Sequence, residues 1–220
     1  MKVLIVLSFL VAAACSAVVN SSSTPEDLGA LAPTPVVSQV PKGMQTAVFA
    51  GGCFWGVEAV FEHVRGVKTV RSGYAGGEAK TAEYEVVSGG ATGHAESVEV
   101  TFDPAKVTYV QLLTVFFSIA HDPTQLNRQG PDSGTQYRSA IFYADEEQKK
   151  LANSYIDAIN KSKALPKPVV TQVAPLKQFF EAEAYHQDYL VNHPTEPYIV
   201  INDAPKVADL KKRFPELYVD

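Results

Sequence analysis

Apolar and polar positions change period several times along the chain, and each change marks an element. Thr46 to Ala50 is a short apolar run closed by Gly51-Gly52, which predicts a strand ending in a turn. From Phe54 onward apolar residues recur at helical spacing through Trp55, Val57, Val60, Phe61 and Val64, so a helix follows the turn directly. Val67 to Gly73 reads as a second strand, and Gly73-Tyr74-Ala75-Gly76-Gly77 as a loop whose glycines permit close backbone approach. His94 to Phe102 alternates as a half-buried strand does; Asp103-Pro104 then turns the chain into a helix over Thr108 to Ile119, apolar at Val110, Leu112, Leu113, Val115, Phe116 and Phe117. The polar stretch from His121 to Thr135 is long for a connection inside a compact domain and predicts a working loop. A strand over Arg138 to Tyr143, an amphipathic helix from Glu146 to Lys161, a strand over Val169 to Val173, a helix around Glu181 to Val191 and an irregular tail complete the order. This order predicts an α+β fold, a two-layer sandwich with a ferredoxin-like core of mixed sheet and helices.

The amino end has a different character. Met1-Lys2 and the apolar run Val3 to Ala14 have the basic and hydrophobic regions of a secretory signal, and the run is too short for the roughly 20 residues of a membrane-spanning helix. The segment 1–17 is read as that signal, 18–43 as a flexible tether rich in Ser, Thr, Pro, Val and Ala, and 44–220 as one globular domain. Such a protein is expected in the periplasm or outside the cell. Cleavage before Cys15 would leave a first residue open to lipid attachment. The formal net charge of −5 provides no basic face for nucleic acid.

The candidate chemistry centres on Cys53, the only cysteine of the predicted domain. A free cysteine is ordinarily a small buried hydrophobe. Here two glycines precede it and a helix begins just after it, an arrangement in which free N–H groups and the helix dipole favour thiolate. There is no Gly-rich phosphate loop, no Cys-x-x-Cys and no His-Glu-x-x-His, so phosphate cradling, zinc ribbons and zincin chemistry lack support. Two classes remain. A Cys-His hydrolase needs an imidazole base, for which His94, His121 and His186 are candidates. A thiol oxidoreductase needs an acid to protonate a departing oxygen and a way to recycle the oxidised sulfur, and Glu96 can serve as that acid if burial raises its pKa.

Five ordered segments then carry a resemblance. Gly-Cys-Phe-Trp-Gly-Val-Glu at 52–58, Gly-Tyr-Ala-Gly-Gly at 73–77, Thr-Gly-His-Ala-Glu at 92–96, His-Asp-Pro-Thr at 121–124 and Gly-Thr-Gln-Tyr-Arg-Ser at 134–139 resemble the peptide-methionine (S)-S-oxide reductases, the A type of methionine sulfoxide reductase. The resemblance spans about residues 44 to 200 and implies the same α+β sandwich. It implies that Cys53 attacks the sulfoxide sulfur and becomes a sulfenic acid, that Glu96 protonates the leaving oxygen, that Tyr84 and Tyr137 donate hydrogen bonds, and that Asp132 belongs to the loop closing the pocket. Phe54, Trp55 and His186 would line the substrate's side, with the first two holding its S-methyl group. Oxidised proteins and free methionine sulfoxide would be substrates of a monomer, with no metal and no cofactor. Many members carry further cysteines toward the carboxyl end, whereas residues 54–220 contain none. The resemblance therefore implies an external thiol reductant of thioredoxin or glutaredoxin type.

Overall fold

A computed structural model describes residues 25–33 and 43–220. The predicted signal, Cys15 and most of the predicted tether lie outside the described residues. In chain order the elements are β1 (Gln45–Gly51), α1 (Phe54–Glu62), β2 (Val67–Ala75), α2 (Tyr84–Val87), β3 (Ala95–Phe102), α3 (Tyr109–Val115), β4 (Arg128–Gln129), β5 (Asp132–Ser133), β6 (Ser139–Tyr143), α4 (Glu146–Ser162), β7 (Gln172–Pro175), β8 (Phe179–Glu181), α5 (Tyr189–Asn192) and α6 (Ala204–Arg213).

Six strands form one mixed sheet in the order β7-β6-β1-β3-β2-β8. Only β6 and β7 pair in parallel; every other neighbouring pair is antiparallel. The inner order β6-β1-β3-β2, together with α1 and α3, is the βαββαβ arrangement of a ferredoxin-like core, as the pattern predicted. Strand β1 is covered on both faces, which is why its sequence reads as an unbroken apolar run. Its Ala47 and Phe49 join the helical side, where the Phe49 ring stacks on Phe61 at 5.1 Å and on Phe116 at 5.0 Å. Its Val48 and Ala50 join a smaller cluster with Ala75, Ala95, Ala140 and Phe142 on the other face.

Local signals explain most of the boundaries. Thr108 and Gln111 form a capping box that starts α3, which passes into a wider turn over Phe116–Ala120. Asp145 caps α4 by accepting from the Gln148 N–H at 2.8 Å, and the Gln148 amide donates to Thr46 O at 2.8 Å, tying the helix to β1.

Three expectations change. The strand read at Val169 to Val173 forms later, as β7. No single helix runs from Glu181 to Val191: β8 ends at Glu181, a 3-10 turn covers Ala184–His186, Asp188 adopts φ +52°, and only Tyr189–Asn192 is α-helical. Contacts made by His186, Gln187 and Tyr189 outweigh the helix-forming residues there. The tail read as irregular contains a turn of π-helix over Ile199–Asp203 and then α6, whose last turn carries Lys211, Lys212 and Arg213 against the negative end of the helix dipole. Within the stretch read as tether, Pro25–Leu31 forms a 3-10 helix. Its Leu28 is buried, and the Tyr155 hydroxyl donates to Leu28 O at 2.7 Å.

Candidate active site

The end of β1 delivers the cysteine. Gly52 has φ +96°, and a Cβ there would stand 2.5 Å from the Cβ of Gln129, so the turn requires glycine twice over. Cys53 then occupies the N-cap position of α1, half-buried, with no capping bond from its side chain. One residue on, the Phe54 N–H donates to Glu96 Oε2 at 3.1 Å. Glu96 projects from β3 and is 2% exposed. Burial pushes its carboxyl up to about 8; the Phe54 N–H opposes this and the charge of Asp132 adds to it. Glu96 therefore carries a proton through most of the neutral range.

The thiol departs from expectation. Burial pushes Cys53 well above its ordinary value, and Glu96, Asp203 and Asp132 push it the same way, while the Trp55 backbone N–H pulls it down. The helix terminus thus acts in the expected direction but loses to desolvation and three carboxyl groups. At rest the sulfur is a thiol.

The walls come from distant segments. Trp55 donates its indole N–H to His186 Nδ1 at 3.1 Å, stacks on Tyr189 with ring centroids 3.7 Å apart, and meets Tyr198 edge-on at 5.9 Å. Phe54 is 1% exposed, with its ring against His186 at 4.9 Å and Tyr74 at 5.9 Å, so it supports the wall from behind while Trp55 presents its surface. Because an indole N–H only donates, His186 Nδ1 accepts and its proton is assigned to Nε2. That Nε2 is buried without a partner, and burial lowers the pKa of the ring.

Tyr84 opens α2. Its backbone N–H donates to Glu183 Oε1 at 2.8 Å, while the Tyr74 hydroxyl donates to Glu183 Oε2 at 2.8 Å. The Tyr84 ring lies 4.5 Å from His186. Tyr137 ends a 3-10 turn at Thr135–Tyr137. Burial first, then the charge of Glu96, raises the pKa of both tyrosines, so both hydroxyls remain donors. Asp132 lies in β5, within the polar loop, and accepts from the Tyr198 hydroxyl. All eight predicted residues therefore converge on the amino end of α1.

The hydrolase alternative finds no base. His121 donates from Nδ1 to Phe116 O at 2.9 Å and accepts at Nε2 from Ser139 Oγ at 2.6 Å. His94 accepts from the Gly77 N–H at 3.2 Å and donates to Glu78 O at 3.0 Å. Both rings are committed to holding backbone, and His186 is committed to Trp55. Among the described residues no group of three or more His, Cys, Asp or Glu is arranged to hold a metal.

Four residues of this surround escaped the sequence reading: Glu183, Tyr189, Tyr198 and Asp203. All four fall where the helix and tail were misread, and the tyrosines are hidden among ten.

Comparison with known proteins accords with this geometry. The family model described as peptide methionine sulfoxide reductase matches residues 45–217. A peptide methionine sulfoxide reductase MsrA 2 of Mesorhizobium japonicum is 62% identical over 176 residues, covering 80% of this chain and 90% of the relative. The MsrA 2 of Synechocystis sp. is 50% identical over 189 residues, covering 84% and 88%. Among solved structures, reduced Mxr1 from Saccharomyces cerevisiae superposes with a TM-score of 0.64 at 32% identity, covering 74% of this chain and 93% of that one. Methionine sulfoxide reductase A of Corynebacterium diphtheriae gives a TM-score of 0.61 at 33% identity, covering 74% and 86%. With a protonated acid hydrogen-bonded beside a lone thiol, and a family match running from β1 past α6, this chain belongs to the peptide methionine sulfoxide reductase family.

Proposed function

We propose that the protein reduces the S epimer of methionine sulfoxide, free or within proteins, through a sulfenic acid on Cys53 that an external thiol reduces. The observation that carries this reading is the hydrogen bond from the Phe54 N–H to Glu96, which sets a protonated carboxyl beside the nucleophile. In the proposed reaction the Cys53 sulfur attacks the sulfoxide sulfur, Glu96 protonates the oxygen and is reprotonated by the thiol proton, and the new sulfur–sulfur bond and the old sulfur–oxygen bond both break as the oxygen passes to Cys53. The oxygen ends on Cys53 as the sulfenic acid, so the methionine sulfur gains the two electrons that the cysteine sulfur loses.

Tyr84 and Tyr137 hold the sulfoxide oxygen by hydrogen bonds, and Trp55, backed by Phe54, holds the methyl group. Fixing both substituents at once distinguishes one epimer from the other. Two equivalents of an external thiol then restore Cys53, releasing water and a disulfide. A thioredoxin- or glutaredoxin-type donor fits because residues 54–220 offer no second cysteine. The amino-terminal pattern supports an exported site of action, in the periplasm or outside the cell, with lipid attachment where cleavage exposes Cys15.

The test is a single turnover of each separated epimer without reductant, with intact mass following Cys53. The expected result is about one equivalent of methionine from the S epimer alone, with one oxygen gained on Cys53. Methionine from the R epimer, or a Cys15–Cys53 disulfide in protein from its native compartment, would overturn it.

A further inference from the structure

The first turn of α1 lies against three acidic groups. The Phe54 N–H donates to Glu96 Oε2, and the Trp55 N–H favours the ionised form of the Cys53 sulfur. The backbone at Gly56 lies so close to a third group that a Cβ there would overlap Asp203 Oδ1. Asp203 stands at the N-cap of α6, where an aspartate ordinarily accepts from the helix it begins, yet its side chain makes no capping bond. It turns instead toward α1. It is 0% exposed, Lys206 Nζ reaches its Oδ1 at 3.1 Å, and its Oδ2 has no partner. A buried carboxylate with one oxygen unpaired costs stability, and this one forgoes the capping bond that would offset the cost.

We propose that Asp203 is a positioning residue for the nucleophile: its carboxylate, packed against the turn of α1 that begins at Cys53, restrains the reactivity of the free sulfur. The proposal rests on Cys53 being the nucleophile. Glu96 from β3, Asp132 from β5 and Asp203 all act on the sulfur, and the hydroxyls of Tyr84, Tyr137, Tyr189 and Tyr198 sense its charge in turn. Asp203 itself faces Lys206 from α6, Asp132 and Tyr198. Burial raises its own pKa and Lys206 opposes the rise. The consequence is protection. A free thiolate attacks hydrogen peroxide, breaking the O–O bond, displacing hydroxide and forming the sulfenic acid with no methionine repaired, whereas the thiol attacks far more slowly.

The test reads alkylation rather than turnover. Full-length wild type, Asp203→Asn and Lys206→Arg are treated with iodoacetamide from about pH 6 to about pH 10 without sulfoxide, and peptide mass follows the label on Cys53. D203N is expected to label about tenfold faster than wild type at each pH below both inflections, as an inflection about one pH unit lower requires. K206R, which keeps the pair, is expected to follow wild type. A folded D203N that labels at the wild-type rate throughout would overturn the proposal. If D203N lacks a native near-UV spectrum, carbon-13 carboxyl titration of wild type and Cys53→Ser decides instead. The Asp203 signal is expected to move with Cys53 ionisation in wild type and to lose that movement in C53S; identical titrations would overturn the proposal. A chain that shows the alkylation shift but releases no methionine would refute the reductase reading alone.

Discussion

Trp55 and His186 are 131 residues apart and joined by one hydrogen bond, from the indole N–H to Nδ1 at 3.1 Å. That bond fixes the tautomer of a buried ring and the orientation of a half-buried apolar wall beside the thiol.

Replacing Trp55 by Phe removes the donor and leaves both nitrogens of His186 without partners. The expected cost is about 1–3 kcal/mol by urea unfolding, the penalty of an unsatisfied buried polar group. KM for methionine sulfoxide is expected to rise more than kcat falls, because in the proposed reaction the wall contacts the methyl group in ground and transition states alike. Unchanged stability and KM would remove the Trp55–His186 pair from the site.

Glu96 makes stability depend on pH in a stated direction. Its folded pKa of about 8 lies above the ordinary 4.5, so the native state retains a proton that the unfolded state releases. Its contribution is complete below the unfolded value and is lost as pH rises through about 8. Urea midpoints of wild type are therefore expected to fall relative to Glu96→Gln between these limits, by an amount on the order of a few kcal/mol. Parallel profiles would show that Glu96 titrates normally. The same variant is expected to lose about 10²–10⁴-fold in single-turnover rate, as removal of a general acid does.

Glu183 is expected to govern the placement of Tyr84. One of its oxygens accepts from the Tyr84 N–H and the other from the Tyr74 hydroxyl, each at 2.8 Å. Glu183→Ala leaves both donors without that partner and frees the start of α2, with kcat/KM expected to fall about tenfold, near 1.4 kcal/mol of transition-state binding. Glu183→Gln, which keeps an acceptor, is expected to fall between wild type and E183A. Equal activity of E183A and wild type would mean that α2 is held by other contacts.

Gly52 tests the turn that presents Cys53. Gly52→Ala adds left-handed backbone strain, about 1–2 kcal/mol, to a collision with Gln129. The double variant Gly52→Ala with Gln129→Gly is expected to recover the collision and retain the strain, so its unfolding midpoint should lie between the other two. A G52A midpoint equal to wild type would mean that the turn relaxes freely.

Legibility followed the local physics. Cys53 was readable because a glycine turn and a helix start lie next to it in sequence, and Glu96 because the alternation of β3 is clean. The ionisation of the thiol was not. It depends on burial first, then on Glu96 and on Asp203, the last contributed by a segment 150 positions away whose β-branched run Ile199-Val200-Ile201 gives no helical signal, although it winds as a π turn. The segment from Glu181 to Val191 has helix-forming composition, but Asp188 in a left-handed conformation breaks it so that His186 and Tyr189 can both reach Trp55. In each case a long-range contact overrode the local preference, and such contacts leave no trace in the spacing of neighbours.

The wall of the site arrives with the last part of the chain. Cys53 and Glu96 are in place once β1, α1 and β3 pair, but His186, Tyr189, Tyr198 and Asp203 follow about ninety residues after Glu96. A chain emerging from its amino end thus exposes its one domain cysteine before it acquires the groups that restrain it. Completion of the carboxyl-terminal segment is then also the moment at which a promiscuous thiol becomes a selective one, and a truncated or stalled chain would be a reactive species rather than merely an inactive one.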